Sequence, residues 1–225
     1  MTQPSYEIKP VLKEDTEAAM DLIRRTFFID EPMNQAVDLC VDGKCDELEE
    51  YCRSALKANL SFKAVDKEGN IAGIIVNEIC PLKQDATDGH DYFIDAQNCK
   101  NPKFQKILYV LAKREEGAKI WEKFPHEKQC VDVKIAATDP NWRKRGIMNE
   151  LVKVTEKITI EKGIKLLRMD TSSAFSAMVA ERLGFTCIFS APYLEIKLDG
   201  QPILVPEPPH VDDRVYVKCL NEQKL

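Results

Sequence analysis

Two periods of apolar residues interleave along this chain, one near 3.6 and one of 2. Residues 6–11 read as a first strand, and residues 14–28 as a helix with Ala19, Leu22, Ile23 and Phe27 on one face. Helical spacing returns over residues 46–60 through Leu48, Cys52, Ala55 and Leu56. Residues 61–66 and 71–79 are two strands joined by Lys67-Glu68-Gly69-Asn70, a hairpin turn by composition. Gly73 inside the second strand marks a bulge or a close backbone approach.

Residues 81–99 have no period and are expected to form a surface loop. Residues 104–123 turn helical through Ile107, Leu108, Leu111 and Ile120. Val131, Val133 and Ile135 alternate as a strand. A helix then follows on Ile147, Leu151, Val154 and Ile158, ended by Gly163. A strand over 165–169 leads to a short helix over 173–183, stopped by Gly184. Residues 185–198, the Asp199-Gly200 turn and a strand near 215–220 complete the pattern, and 202–209 is too rich in proline for a central strand. Strands and helices alternate without repeat or linker, which predicts one α/β domain over residues 1–225.

A chain of 225 residues can bury a core that needs no staples. Its formal net charge of −5 argues against a nucleic-acid partner. Eight cysteines contain no CxxC pair and only three histidines are present, so no metal site is expected. The start, MTQPSYEIKP, lacks the apolar core of a signal peptide, and no stretch approaches membrane-spanning length. The expectation is a cytoplasmic monomer with reduced thiols and no membrane partner.

Candidate chemistry concentrates after the strand carrying Ile135. Arg143, Lys144, Arg145 and Gly146 stand at the start of the helix that opens with Ile147 and Met148. The first N–H groups of a helix lack intrahelical partners and carry partial positive charge. A glycine lets an anion approach them closely, so the segment reads as a backbone phosphate site. It is not a G-x-x-x-x-G-K-[ST] loop, and one glycine does not make a dinucleotide fingerprint. The plainer alternative is a basic surface turn.

These residues resemble a family. Arg143-Lys144-Arg145-Gly146-Ile147-Met148 is similar to the Q/R-x-x-G-x-G/A segment of the GCN5-related N-acetyltransferases, with Met148 in place of a small residue. Ala180 to Phe185 resembles a second family segment ending L-G-F. Ala180 stands where the family often carries a tyrosine general acid. Phe27-Phe28-Ile29-Asp30-Glu31-Pro32-Met33-Asn34 resembles the FFxDEPLN signature of insect arylalkylamine N-acetyltransferases. Ser172-Ser173-Ala174-Phe175-Ser176-Ala177 is similar to their SSxYSA segment, and Pro209-His210-Val211 to their P-H-V ending. The paired-histidine site of the vertebrate enzymes sharing that name is absent.

The resemblance implies a mixed, mostly antiparallel sheet with a splayed strand pair, flanked by helices. It implies acetyl-CoA (or another acyl-CoA) as co-substrate, with direct transfer to the amine of a small arylalkylamine such as dopamine, serotonin, octopamine or tyramine. Glu31 is the implied base, while Ser172 and Ser176 are implied in handling the proton. The pantetheine arm is expected along Ile135, Ala136 and Ala137, and the pyrophosphate at Arg143 through Met148. Phe28, Asp30, Pro32 and His210 are expected around the amine. Other readings stay open: Asp30-Glu31-Pro32 can simply end a helix before proline, a serine at a helix start can simply cap it, and His210 can be an exposed loop residue. A polyamine or agmatine-like acceptor, and a catalytically silent CoA-binding module, are the competing functions.

Overall fold

The computed structural model describes residues 5–40, 44–82 and 91–220. In chain order the elements are β1 (Glu7–Pro10), α1 (Thr16–Arg25), α2 (Phe27–Asp30), α3 (Pro32–Ala36), α4 (Asp46–Leu56), β2 (Phe62–Val65) and β3 (Ile71–Pro81). Next come α5 (Tyr92–Asn98), α6 (Pro102–Ala118), α7 (Ile120–Lys123), β4 (Gln129–Thr138), α8 (Ile147–Glu161), β5 (Leu166–Thr171) and α9 (Ala174–Arg182). The chain closes with β6 (Thr186–Pro192), β7 (Lys197–Leu198), β8 (Gln201–Pro202) and β9 (Asp212–Cys219).

Seven strands form one sheet in the order β1-β2-β3-β4-β5-β9-β6, and β7 pairs with β8 apart from it. Every neighbouring pair is antiparallel except β4 and β5, which run parallel. That parallel ladder is short. It joins Val131 to Leu167, Asp132 to Arg168 and Val133 to Met169, and there it stops. Beyond it the last residues of β4 still pair with β3, and those of β5 with β9. The two strands thus part in the middle of the sheet.

The parting begins at a bulge. Val76 faces Ile135 across the ladder while Asn77 faces Val133, which leaves Lys134 as an extra residue on β4. A bulge bends the strand that carries it and increases its local twist, which carries the end of β4 away from β5.

Two main cores, beside a smaller cluster of Ala118, Ile120, Cys130 and Leu166, cover the two faces of the sheet. One packs Leu22, Ile23, Leu48 and Ile107 of the α1, α4 and α6 helices against Ile74, Val76 and Ile135. The other packs Ile147, Leu151 and Ala177 of α8 and α9 against Ile75, Val133 and Leu167.

Most expected elements appear, with instructive differences. The helix expected over 14–28 breaks at Thr26 (φ −129°, ψ −79°), whose hydroxyl donates back to the Leu22 carbonyl. A new short helix, α2, starts there and ends at Glu31, which is extended as a residue before proline must be. The loop expected over 81–99 holds the end of β3 and the helix α5. Asp91 caps that helix by accepting from the Phe93 and Ile94 N–H groups. Residues 83–90 of that loop lie outside the described ones.

On α8 the buried stripe runs through Ile147, Leu151, Thr155 and Thr159 rather than Val154 and Ile158. Threonine can face a core here because each hydroxyl donates to the carbonyl four residues back, at 3.0 Å to Leu151 and 2.6 Å to Thr155. Gly73 proves to be a close approach. A Cβ there would sit 2.7 Å from Cγ2 of Ile147, so the glycine lets the start of α8 press on β3. Gly146 has φ +79° and forms the N-cap of α8 with no side-chain cap, so the first turn keeps its N–H groups uncapped.

Candidate active site

A cleft of about 410 Å³ opens where β4 and β5 part, walled by Ala136, Ala137, Asp30, Arg143, Ser172 and Ser176 among others. A smaller cavity of about 110 Å³ meets it, lined by the aromatic rings of Phe27, Tyr51, Tyr92 and Phe104. Glu31, Ser172, Lys134 and Phe27 line both. The carboxylate of Glu31 therefore stands where the two spaces join.

Glu31 is 8% exposed. Its Oε2 accepts from the Asn34 backbone N–H at 2.6 Å, which makes it the N-cap of α3. The reading of a helix end before proline is therefore also true, but it uses one oxygen only. Oε1 is buried with no hydrogen-bond partner. Burial raises the pKa of the carboxyl; the Ser172 hydroxyl beside it and the Asn34 and Met33 backbone pull the other way without cancelling the rise.

The serines divide their roles. Ser173, not Ser172, caps α9 by accepting from the Phe175 N–H at 3.1 Å. Ser176 donates to the Ser173 carbonyl at 2.9 Å. The backbone carbonyl of Ser172 accepts from the buried Tyr193 hydroxyl at 3.2 Å, which fixes the peptide and leaves the Ser172 side chain facing the cleft.

The basic loop is organised rather than loose. Arg143 forms an ion pair with Asp30 and also donates from Nε to the Thr138 carbonyl. The Arg145 guanidinium lies 4.8 Å from the centre of the Trp142 ring. Lys144 adopts φ +63°, and with Gly146 it turns the chain so that α8 begins against the cleft. Ile147 is buried in the core and Met148 packs against it, so these two position the loop with backbone rather than side chain.

The other expected residues divide between the cleft and the structure around it. Phe28 is 1% exposed and belongs to the core, so the ring that lines both cavities is Phe27, one residue earlier. The short α2 helix turns Phe28 inward, and register inside a four-residue helix could not be read from the sequence. Pro32 lines the larger cleft. His210 lines neither cavity. Its Nδ1 accepts from the Ala174 N–H at 3.2 Å and its ring meets Phe175 edge-on at 5.4 Å, so it braces the start of α9. Ile135 is buried and Ala137 nearly so, whereas Ala136 is exposed to the cleft.

No known family model matches the chain. Among solved structures, arylalkylamine N-acetyltransferase 2 from Aedes aegypti superposes with a TM-score of 0.88 at 26% identity, covering 96% of this chain and 100% of that one. The chain is a member of the GCN5-related N-acetyltransferase superfamily, similar to the insect arylalkylamine N-acetyltransferases. A Drosophila melanogaster polyamine N-acetyltransferase that forms N-acetylagmatine shares the fold at TM-score 0.84 and 22% identity, covering 96% and 100%. Mosquito arylalkylamine N-acetyltransferase like 5b shares it at 0.83 and 20%, with the same coverage.

In this chain the motif residues come with a buried charge network that they do not announce. Arg114 of α6 grips Asp213 through Nε at 2.8 Å and reaches Asp170 at 3.1 Å. Arg168 holds Asp170 at 2.7 Å and pairs with Glu115. Lys134 holds Asp132 at 2.9 Å. Burial alone would raise the Asp170 pKa, but Arg168 and Arg114 outweigh it and hold the carboxyl below its ordinary value. Asp213, also buried, stays above its ordinary value despite Arg114. The signal that could have found these residues is charge at inward positions of otherwise apolar elements, as in the run Leu166-Leu167-Arg168-Met169-Asp170.

Among the described residues no cluster of His, Cys, Asp and Glu is placed to hold a metal, and no helix is long and apolar enough to cross a membrane.

Proposed function

We propose that this acetyltransferase moves an acetyl group from acetyl-CoA to the primary amine of a small arylalkylamine. One observation carries the reading: a buried carboxylate with one unpartnered oxygen stands at the junction of a strand-lined cleft and an aromatic cavity. An arylalkylammonium bound among Phe27, Tyr51, Tyr92 and Phe104 gives its proton to Glu31, whose desolvation makes it a stronger base than an exposed glutamate. The freed nitrogen attacks the thioester carbonyl, a C–N bond forms, the C–S bond breaks, and the leaving thiolate takes a proton. Ser172 and Ser176, which line the cleft, are the hydroxyls assigned to supply or relay it, since Ala180 leaves the family's tyrosine position empty of a donor.

The parted strands suit the pantetheine arm, whose amides can pair with backbone groups that β5 leaves unmatched on β4. The uncapped start of α8 together with Arg143, Lys144 and Arg145 suits the pyrophosphate. Both cosubstrates must be present together, because the base serves the amine directly and, among the described residues, no cysteine lines either cavity.

The test is release of free thiol from acetyl-CoA with a panel of dopamine, tyramine, serotonin, agmatine and spermidine. Turnover of the arylalkylamines with intersecting double-reciprocal lines supports the proposal; parallel lines or a trapped acetyl-enzyme refute direct transfer. Preference for agmatine or spermidine would install the competing acceptor class, which the fold's likeness to agmatine and polyamine acetyltransferases keeps in play.

A further inference from the structure

The residue that the β4 bulge inserts is a lysine, and its side chain is 9% exposed. Strand interiors rarely place an ammonium inward unless something answers it. Here the carboxylate of Asp132, two residues earlier, lies 2.9 Å away, and Glu78 on the neighbouring strand lies 3.9 Å away. Lys134 lines both cavities, whereas Asp132, Tyr51 and Tyr92 line only the smaller one, on the side away from the coenzyme cleft. The ammonium therefore reaches from the junction into the acceptor space.

The other charges of that space are already matched. Asp170 is held by Arg168 and Arg114, Glu115 by Arg168, and Asp132 by Lys134. Glu31 is the single cavity carboxylate without an ion-pair partner among the described residues, and it has its own task. An acceptor with a second ammonium would meet no uncompensated carboxylate and would face Lys134. An acceptor with a hydroxyl would meet the opposite: an ammonium that donates to it and an aspartate that accepts from it, framed by aromatic rings.

We infer that Lys134, acting with Asp132 and the phenols of Tyr51 and Tyr92, determines acceptor specificity by binding a ring hydroxyl and turning away a second cation. This rests on the amine-acetylation reading above and narrows it to hydroxylated aromatic monoamines.

The experiment compares tyramine with phenethylamine, which differs only by lacking the ring hydroxyl, and both with agmatine and spermidine. In the wild-type enzyme tyramine is expected to exceed phenethylamine by at least about tenfold in kcat/KM, since its ring hydroxyl adds a hydrogen bond to a charged group that phenethylamine cannot make. Agmatine and spermidine are expected to fall further below. Lys134→Met should lower tyramine about tenfold, phenethylamine much less, and raise agmatine. Because that change strands Asp132, the double variant Lys134→Met/Asp132→Asn and the milder Tyr51→Phe provide the same comparison in differently balanced sites. Equal kcat/KM for tyramine and phenethylamine in the wild type overturns the assignment while leaving the arylalkylamine reading intact. A uniform loss for every amine in Lys134→Met also overturns it, as the mark of a merely structural lysine. Turnover of agmatine or spermidine with silence on both aromatic amines removes the arylalkylamine reading itself, and this inference with it.

Discussion

Replacing Glu31 by glutamine should make the protein slower and sturdier at once. The carboxylate is nearly solvent-free, one oxygen caps α3 and the other has no partner. Glutamine can keep the cap through its carbonyl oxygen, and its amide can face the Ser172 hydroxyl, but it cannot take a proton. Loss of a positioned base costs about 10²–10⁴ in rate, or roughly 3–5 kcal/mol of barrier. Stability moves the other way. Since burial raises the Glu31 pKa, the folded protein holds this proton at pH values where the unfolded chain has released it. The folded state then binds more protons, and wild-type stability falls as pH rises from the ordinary glutamate range through the raised folded value. Glutamine does not titrate, so the variant's advantage opens across that window and is constant above it. A buried unsatisfied acceptor costs on the order of 1 kcal/mol or more, which for a chain of this size is about 2–4 °C in Tm per kcal/mol. Thiol-release kinetics and thermal melts at matched pH values from 5 to 9 test both halves. A variant within threefold of wild-type kcat/KM, or a Tm difference that does not grow with pH, would refute the reasoning.

Further outcomes follow from the same geometry. Ser172→Ala should lower kcat about tenfold or more with little change in Tm, whereas Ser173→Ala, which removes the α9 cap, should cost about 1 kcal/mol of stability and spare kcat; kinetics and melts on the pair separate the roles. Arg114→Met strands the buried Asp213 and removes one of the two arginines that hold Asp170, and should cost about 3–5 kcal/mol by denaturant titration. Gly73→Ala drives a methyl into Ile147 at the head of α8, so it should raise the KM for acetyl-CoA more than that for the amine and cost about 1–3 kcal/mol.

The parts legible beforehand were those written in local chemistry. The basic loop proposed for the pyrophosphate needed only a strand, a glycine and a helix start to be noticed, and Gly146 sits at φ +79° at the head of α8. Glu31 was legible through its neighbours in the motif, although its double service as cap and unpartnered carboxylate depends on a helix break that Thr26 creates by bonding back to Leu22. What stayed hidden was written across the chain. Thr155 and Thr159 look polar in sequence and become core once their hydroxyls find backbone carbonyls. The bulge at Lys134 depends on the registry of a strand some sixty residues earlier, which no window around Lys134 contains. Arg114, Arg168 and Asp213 come from three separate elements, and only the sheet order brings them together.

The ladder between β4 and β5 ends after Val133 and Met169, although both strands continue. Sheets ordinarily confine their unpaired edges to the rim, where charge, proline or a covering helix guards them. This sheet keeps a pair of edges at its centre, each anchored on its far side by another strand. Each rung forgone there is worth about 1 kcal/mol net. Stability and usefulness are therefore opposed at that one place. A variant that zipped the two strands shut would be the firmer protein, and it would lose the cleft proposed to hold the coenzyme.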